Sequence, residues 1–388
     1  MYTPPAPPHD PTVPPPPPDL SGPPGASRNR TVTFVIAAAV GGTVGVAGSS
    51  HGLPFPEHYF LLFFAGMLLA VSLHNVLSRL LGPFTGLAAV YSSIGAGPWL
   101  WATTVGGRQL VLRPLPLILY SPCMVVTDRP GLRRRMWWGE LVQLLVQAAV
   151  AAALVAAGGA AAAVGWGIAF LTLLTHVLAP GRVTSPAWRL LRLPFGTEEG
   201  RLGEWQADDA TIAATRAAGA GRIDLMRAAL AAAPPSGSPR RLALSAMLAL
   251  AEGRSVEAAH TAVELYARSA APSLRAGALY LYAAAVSDGV RAGQIPAEQG
   301  LPYFAAAMTG LRAQGPALAR RTDLAAREAY FQGRLPQAAK LAARAAANAP
   351  EALSRAGALD TLAAVHAAAG RPVDAARAHA RAAALLRR

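Results

Sequence analysis

The sequence from Gly139 to Ala179 reads GELVQLLVQAAVAAALVAAGGAAAAVGWGIAFLTLLTHVLA. It is almost entirely apolar and about twice as long as the roughly 20 residues that cross a bilayer as a helix. The pair Gly158 and Gly159 divides it near the middle, where glycine readily interrupts a helix. The stretch therefore predicts two membrane-spanning helices that are joined by a tight turn.

Two further apolar runs precede this pair. The first covers about residues 32–50 and is rich in glycine and alanine, and the second covers about residues 58–81. Only 14% of the 388 residues are charged, against roughly 25% in soluble domains, so the composition also indicates a membrane protein. We expect an all-α membrane protein with about four transmembrane helices, whose small-residue faces pack closely in lipid.

The placement of arginine predicts the orientation of these spans. The 51–58 loop and the 158–160 turn contain no Lys or Arg, whereas the other flanking segments are basic. The arginines in those segments are Arg28, Arg30, Arg79, Arg108, Arg113, Arg129, Arg133, Arg134, Arg135, Arg182, Arg189 and Arg192. By the positive-inside rule, we expect a multi-pass protein of the cell membrane with both termini in the cytoplasm.

The first 30 residues contain 12 Pro, including the run Pro14–Pro18. Such a segment cannot bury enough apolar surface to fold, so the composition predicts a disordered or polyproline II tail. A solvated tail is the favoured interpretation, and a ligand for a proline-binding domain is the alternative.

Charge and cysteine content exclude other classes of protein. The net charge of +14 is scattered along the chain, and part of it flanks the apolar runs, so it does not indicate nucleic-acid binding. The single Cys123 excludes an intrachain disulfide and a cysteine-cluster zinc site. The only lysine, Lys340, lies in the alanine-rich C-terminal region, so the sequence contains no glycine-rich phosphate loop with a lysine.

From about residue 205 the sequence is alanine-rich and has a helical period. Glycine turns recur with spacings of 32, 40, 40 and 37 residues, at Gly221, Gly253, Gly293, Gly333 and Gly370. Tight turns between small-residue helices at this period resemble tetratricopeptide repeats, in which helix hairpins stack on one another. We therefore expect a C-terminal α-solenoid over residues 205–388, with an irregular helical bundle as the alternative.

Polar motifs lie within and after the second apolar run. His74, Asn75 and Ser78 stand near its end, followed by SIGAGPWLW at residues 93–101 and PLILY at residues 116–120. Their order resembles the intramembrane site-2 protease family of zinc metalloproteases. In that family a His-Glu-x-x-His helix is followed by a Ser-Ile-Gly-Phe-Gly-Pro-like stretch and a β-hairpin. The resemblance covers about residues 58–195 and implies a short membrane-associated β-hairpin.

The same resemblance implies a degenerate active site. His74 takes the position of the first zinc ligand, Asn75 that of the catalytic Glu, and Ser78 that of the second His. Near residues 184–191, Pro186 replaces the Asp that is the family's third ligand. An amide cannot accept a proton from metal-bound water, and neither Ser nor Pro replaces a zinc ligand. We therefore predict no intact catalytic residue, no bound metal and no cofactor.

Two other sets of polar residues have a simpler interpretation. His176 lies near the end of the fourth span, but a metal pair with His74 would still lack a base, so packing or hydrogen bonding is favoured for both. The carboxylates at 198–199 and 208–209 are typical of a solvated linker face.

The predicted organisation is a disordered Pro-rich tail (1–30), a membrane domain (31–195), a linker (196–204) and a repeat domain (205–388). The expected function is that of a catalytically inactive site-2 protease homologue, a scaffold in the lipid bilayer. Its core is expected to bind a transmembrane segment, and its repeats a cytosolic protein. Two alternatives remain, namely an active, atypical zinc metalloprotease and a plain membrane-anchored repeat adaptor.

Overall fold

The molecule is described here from a computed structural model. The described residues are 14–18, 57–105, 108–178, 185–195, 203–232 and 238–386. They form fifteen α-helices and a small sheet. The chain divides into two compact units. The membrane unit consists of Ala26–Trp101 and Leu110–Gly203, and the helical unit of Glu204–Arg388, Met1–Gly25 and Ala102–Gln109.

Three helices of the membrane unit are long and apolar enough to cross a membrane. They are α1 (Glu57–Thr85), α2 (Leu132–Ala157) and α3 (Gly159–Leu173), and α3 continues as a π-helical turn over Leu174–Leu178. Large apolar side chains on α1, such as Phe60 and Leu61, are exposed, as expected where lipid surrounds a helix. A short helix, α4 (Pro186–Leu191), follows.

The predicted pair of helices is confirmed at its turn. Gly158 ends α2 and precedes α3, with a φ of 75°, and Gly159 has a φ of 53°. These left-handed conformations cost glycine little, which explains why the apolar stretch breaks at this pair. The predicted first span, about residues 32–50, lies outside the described residues, so the count of four spans stays a prediction.

A small sheet lies between α1 and α2 along the chain. Its strands are β1 (Leu87–Ala96), β2 (Trp101–Val105), β3 (Arg108–Leu112) and β4 (Leu115–Thr127). They are hydrogen-bonded in the order β2-β3-β1-β4, and Leu87 pairs with Val126 and Ser93 with Ser121. The observed sheet is therefore larger than the short hairpin that the sequence predicted. The reason is that the chain after Gly86, whose φ is 76°, is already extended before the SIGAGP motif begins.

The helical unit begins with a two-residue strand, β5 (Gln206–Ala207). Its helices are α5 (Asp209–Ala220), α6 (Ile223–Ala232), α7 (Pro239–Ala251), α8 (Ser255–Arg268), α9 (Pro272–Arg291), α10 (Ala297–Gln314), α11 (Pro316–Arg321), α12 (Leu324–Phe331), α13 (Leu335–Asn348), α14 (Ala352–Ala368) and α15 (Pro372–Leu385). Each packs against the next along the chain. The five predicted glycine turns are confirmed by φ values between 69° and 75°. A regular solenoid stays a prediction.

The core of the helical unit is built mainly from alanine. Ala258, Ala262 and Ala278 are fully buried, and larger side chains such as Leu279 and Tyr282 fill the space between them. Small side chains let neighbouring helices approach closely, so the tight turns and the alanine content belong to one packing arrangement.

Candidate functional site

Polar side chains from four helical segments converge inside the membrane unit. His74 comes from α1, Glu140 from α2, His176 from the π-helical turn after α3, and Arg189 from α4. One ligand atom from each of His74, Glu140 and His176 lies within 4.8 Å of the other two. Glu140 and His176 are fully buried, so this cluster is part of the interior of the unit.

The Glu140 carboxylate lies between two basic side chains. Its Oε1 is 3.1 Å from Nε2 of His176, and its Oε2 is 3.1 Å from Nε of Arg189. A carboxylate in an apolar interior needs such compensation, because its desolvation is costly. Neither Glu140 oxygen makes a well-oriented hydrogen bond, and nor does Nε2 of His176. Distance, rather than hydrogen-bond direction, therefore defines this contact.

The ring of His176 is oriented from its other nitrogen. Nδ1 of His176 donates to the backbone oxygen of Thr172, one turn earlier, over 2.9 Å. This bond turns Nε2 toward Glu140. A histidine that ligates a metal commonly donates its second nitrogen in this way, and a histidine paired with a carboxylate does so as well.

His74 joins the cluster through an amide side chain. Nδ1 of His74 lies 3.5 Å from Nε2 of Gln147, and Oε1 of Gln147 accepts a hydrogen bond from Oγ1 of Thr172 over 3.2 Å. The ring centroids of His74 and His176 are 5.5 Å apart. One polar network therefore connects α1, α2 and α3 around the two histidines.

The other positions named by the resemblance make structural contacts. Asn75 donates from Nδ2 to the backbone oxygen of Tyr120 in β4, over 2.7 Å. Ser78 donates to Oε1 of Gln143 in α2, over 2.9 Å. The two side chains therefore connect α1 to β4 and to α2 by hydrogen bonds.

Pro186 has a local role in the chain. It is the first residue of α4, where its missing N–H removes no helical hydrogen bond. The hydroxyl of Ser185 accepts from the backbone N–H of Trp188 over 3.2 Å and caps the same helix. Pro186 therefore starts the helix that carries Arg189 to Glu140.

The sequence predicted part of this site and missed its acid. His74 and His176 were singled out, and the structure brings them together. Glu140 is not among the residues that the sequence motifs indicate. The available signal was a polar stripe on α2, because Glu140, Gln143 and Gln147 share one helix face within its apolar stretch after Arg135.

The donor set allows two kinds of chemistry. Two imidazoles and a carboxylate form a ligand set that zinc uses in hydrolytic enzymes. The same groups with Arg189 also form a buried ion network that needs no metal. No protein-family model, no curated protein and no solved structure matches this chain.

Proposed function

We propose that this protein is a membrane-anchored scaffold, similar to site-2 proteases in its spanning unit but without their catalytic centre. The supporting observation is that the side chains of Asn75 and Ser78 form structural hydrogen bonds. The side chain at the family's base position donates to Tyr120, and the one at its second ligand position donates to Gln143. An amide cannot take a proton from metal-bound water, and a serine hydroxyl that donates to Gln143 is a poor zinc ligand. These positions serve the packing of α1.

The scaffold has two surfaces for partners. The membrane unit exposes large apolar side chains to lipid and offers helix faces to a transmembrane segment of another protein. The helical unit, which we place in the cytoplasm with both termini, offers a protein-binding surface built from packed helices. Binding without cleavage is the activity that remains when the catalytic side chains have become structural.

A metal centre is the second candidate, and the cluster of His74, Glu140 and His176 favours it. The buried, poorly hydrogen-bonded atoms of Glu140 and His176 are suitable zinc ligands, and Thr172 orients His176 as expected for a ligand. Bound zinc would supply a Lewis acid and an activated water. We rank this candidate second because Arg189 already neutralises Glu140, and a fixed positive charge beside a ligand opposes binding of a dication.

Metal analysis separates the two candidates. Full-length protein without a histidine tag is purified in detergent, equilibrated with zinc, dialysed and analysed by mass spectrometry. We expect far less than one zinc per chain, with no change in the variant His74→Ala. The matched control is His379→Ala, which removes an exposed histidine of the helical unit.

Two results contradict the scaffold proposal. The first is one zinc per chain that is lost in both His74→Ala and His176→Ala but kept in His379→Ala, which would establish the metal centre. The second is cleavage of a transmembrane substrate by the purified protein that a chelator stops and His74→Ala abolishes, which would establish the active metalloprotease.

A further inference from the structure

Five residues of the N-terminal tail lie against the helical unit. Tyr282 of α9 donates a hydrogen bond from its hydroxyl to the backbone oxygen of Pro15, over 2.7 Å. Pro14, Pro15 and Pro18 are buried, Pro17 is half-buried and Pro16 is exposed. The rest of the tail lies outside the described residues, so its predicted disorder stays a prediction.

The burial of these prolines repeats with a period of three. Pro15 and Pro18 form one buried edge, Pro14 and Pro17 a second that is less deeply buried, and Pro16 faces solvent. A polyproline II helix has three residues per turn, so it presents three such edges. The pattern is the one expected when a polyproline II helix lays two of its edges on a protein surface.

The chemistry of Tyr282 suits this ligand. A run of prolines has no backbone N–H, so only its carbonyl oxygens can form hydrogen bonds, and the surface must supply the donors. The ring of Tyr282 is fully buried in a cluster with Phe304 and Met308, which holds the hydroxyl in a defined place. Burial raises the pKa of Tyr282 above its ordinary value, so the hydroxyl keeps its proton at physiological pH.

Recognition of proline-rich segments elsewhere uses the same physical means. Aromatic side chains pack against proline rings, donors reach the exposed carbonyls, and the ligand loses little entropy because it is already extended. The helical unit presents a buried aromatic residue, Tyr282, whose hydroxyl donates to a carbonyl of an extended proline run in its own chain.

We propose that the helical unit is a binding module for polyproline segments and that Pro14–Pro18 is its internal ligand. A partner with a proline-rich segment would bind by displacing the tail. The inference rests on the proposed scaffold function in one respect only, because it names the class of partner that the scaffold would bind. Peptide binding is measured separately from zinc content, so failure of one leaves the other intact.

The test uses a fluorescein-labelled peptide with the sequence of residues 9–20 and the full-length protein in detergent micelles. In the double variant Pro15→Ala, Pro18→Ala, the tail should no longer occupy the surface around Tyr282. We expect this variant to bind the peptide at least tenfold more tightly than the wild-type chain, whose tethered tail competes at an effective concentration on the order of millimolar. Fluorescence anisotropy measures the affinities.

Two matched changes identify the contact. Adding Tyr282→Phe to the free-surface variant removes one hydroxyl and should weaken peptide binding about two- to tenfold, the loss of one hydrogen bond. Pro15→Ala in the peptide should weaken binding, whereas Pro16→Ala, at the exposed position, should leave it within about twofold. Circular dichroism checks that Tyr282→Phe stays folded.

Three results overturn the inference. They are absence of peptide binding to the free-surface variant, equal affinity of that variant and the wild-type chain, and equal effects of Pro15→Ala and Pro16→Ala in the peptide. The last result would mean that the peptide binds by composition rather than in the register seen against Tyr282.

Discussion

At the scale of single residues, Arg327 is a buried charge that holds helices of the helical unit together. Its Nε lies 2.7 Å from Oδ2 of Asp323, and its Nη1 lies 2.8 Å from Oδ1 of Asp288. Nη1 also donates to the hydroxyl of Ser287, and Thr361 donates to Asp323 over 2.7 Å. Three helices, α9, α12 and α14, are thereby connected through one guanidinium group and its acidic partners.

The acid of this network titrates below its ordinary range. Burial alone would raise the pKa of Asp323, but the charge of Arg327 and hydrogen bonds from Thr361 and Arg327 outweigh it and lower the pKa below 3.8. An acid with a depressed pKa in the folded state stabilises the fold above its unfolded pKa. That contribution is lost as the pH falls through the folded value. The network should therefore stabilise the unit at neutral pH and weaken in acid.

We predict that Arg327→Leu lowers the free energy of unfolding by about 3–5 kcal/mol at neutral pH, because Asp323 is left buried without its partner. The loss should shrink near pH 4, since Asp323 without Arg327 becomes protonated. Urea denaturation followed by circular dichroism measures the free energy of unfolding at both pH values.

The control for this change is Arg377→Leu. Arg377 is exposed and pairs only with Asp374 on its own helix, so its removal should cost less than about 1 kcal/mol. Equal losses for the two variants, or a loss for Arg327→Leu that does not depend on pH, would contradict the role assigned to the network.

At the scale of elements, α1 and α3 pack through glycine. A methyl group added at Gly167 would lie 2.0 Å from the backbone oxygen of Phe63, and one added at Gly66 would lie 2.2 Å from that of Val164. The two backbones are therefore in direct contact. Helices in lipid gain their packing energy from such close approach, because burial of apolar surface contributes little there.

We predict that Gly167→Ala destabilises the membrane unit by about 1–3 kcal/mol, because the backbone of α1 must move to make room. Unfolding by SDS in mixed micelles, followed by circular dichroism, measures the change. Ala160→Leu is the control, since it adds more volume at an exposed position of the same helix and should have little effect. A similar loss in both variants would show that added volume, and not the contact with Phe63, is responsible.

At the scale of the whole molecule, the basic segments predict an orientation in the membrane. Three described helices can span a membrane, and the apolar run at 32–50 supplies the fourth in our proposal. In the four-span arrangement that we propose, both ends of the chain lie on the same side, and the positions of the arginines predict that this side is the cytoplasm. The Pro-rich tail and the helical unit that it contacts then share one compartment.

We predict the sidedness of single cysteines in a Cys123→Ala background. Leu53→Cys and Ala160→Cys should react with a membrane-impermeant maleimide on intact cells, because they lie in the arginine-free segments 51–58 and 158–160. Gly25→Cys and Ser236→Cys should react only after the cells are lysed. External labelling at 236, or opposite sides for 25 and 236, would overturn the four-span arrangement.

Sequence by itself determined two membrane-unit helices and the glycine turns between the helices of the helical unit. The apolar length of α2 and α3, their break at Gly158, and the five glycine turns of the helical unit follow from hydrophobicity and local backbone preference. Those properties act within a few residues of the chain, so they can be predicted without knowledge of the tertiary structure. The extent of the sheet was missed because Leu87–Ala96 pairs with a strand about 30 residues away.

Only the tertiary structure decided which side chains meet. His74, Glu140 and His176 are far apart in sequence, and their convergence depends on how each helix is rotated about its axis when packed against the others. The contact between Pro15 and Tyr282 joins residues 267 positions apart and depends on the shape of the surface formed by folded helices. Such contacts depend on three-dimensional packing, which local patterns of hydrophobicity and turn formation leave open.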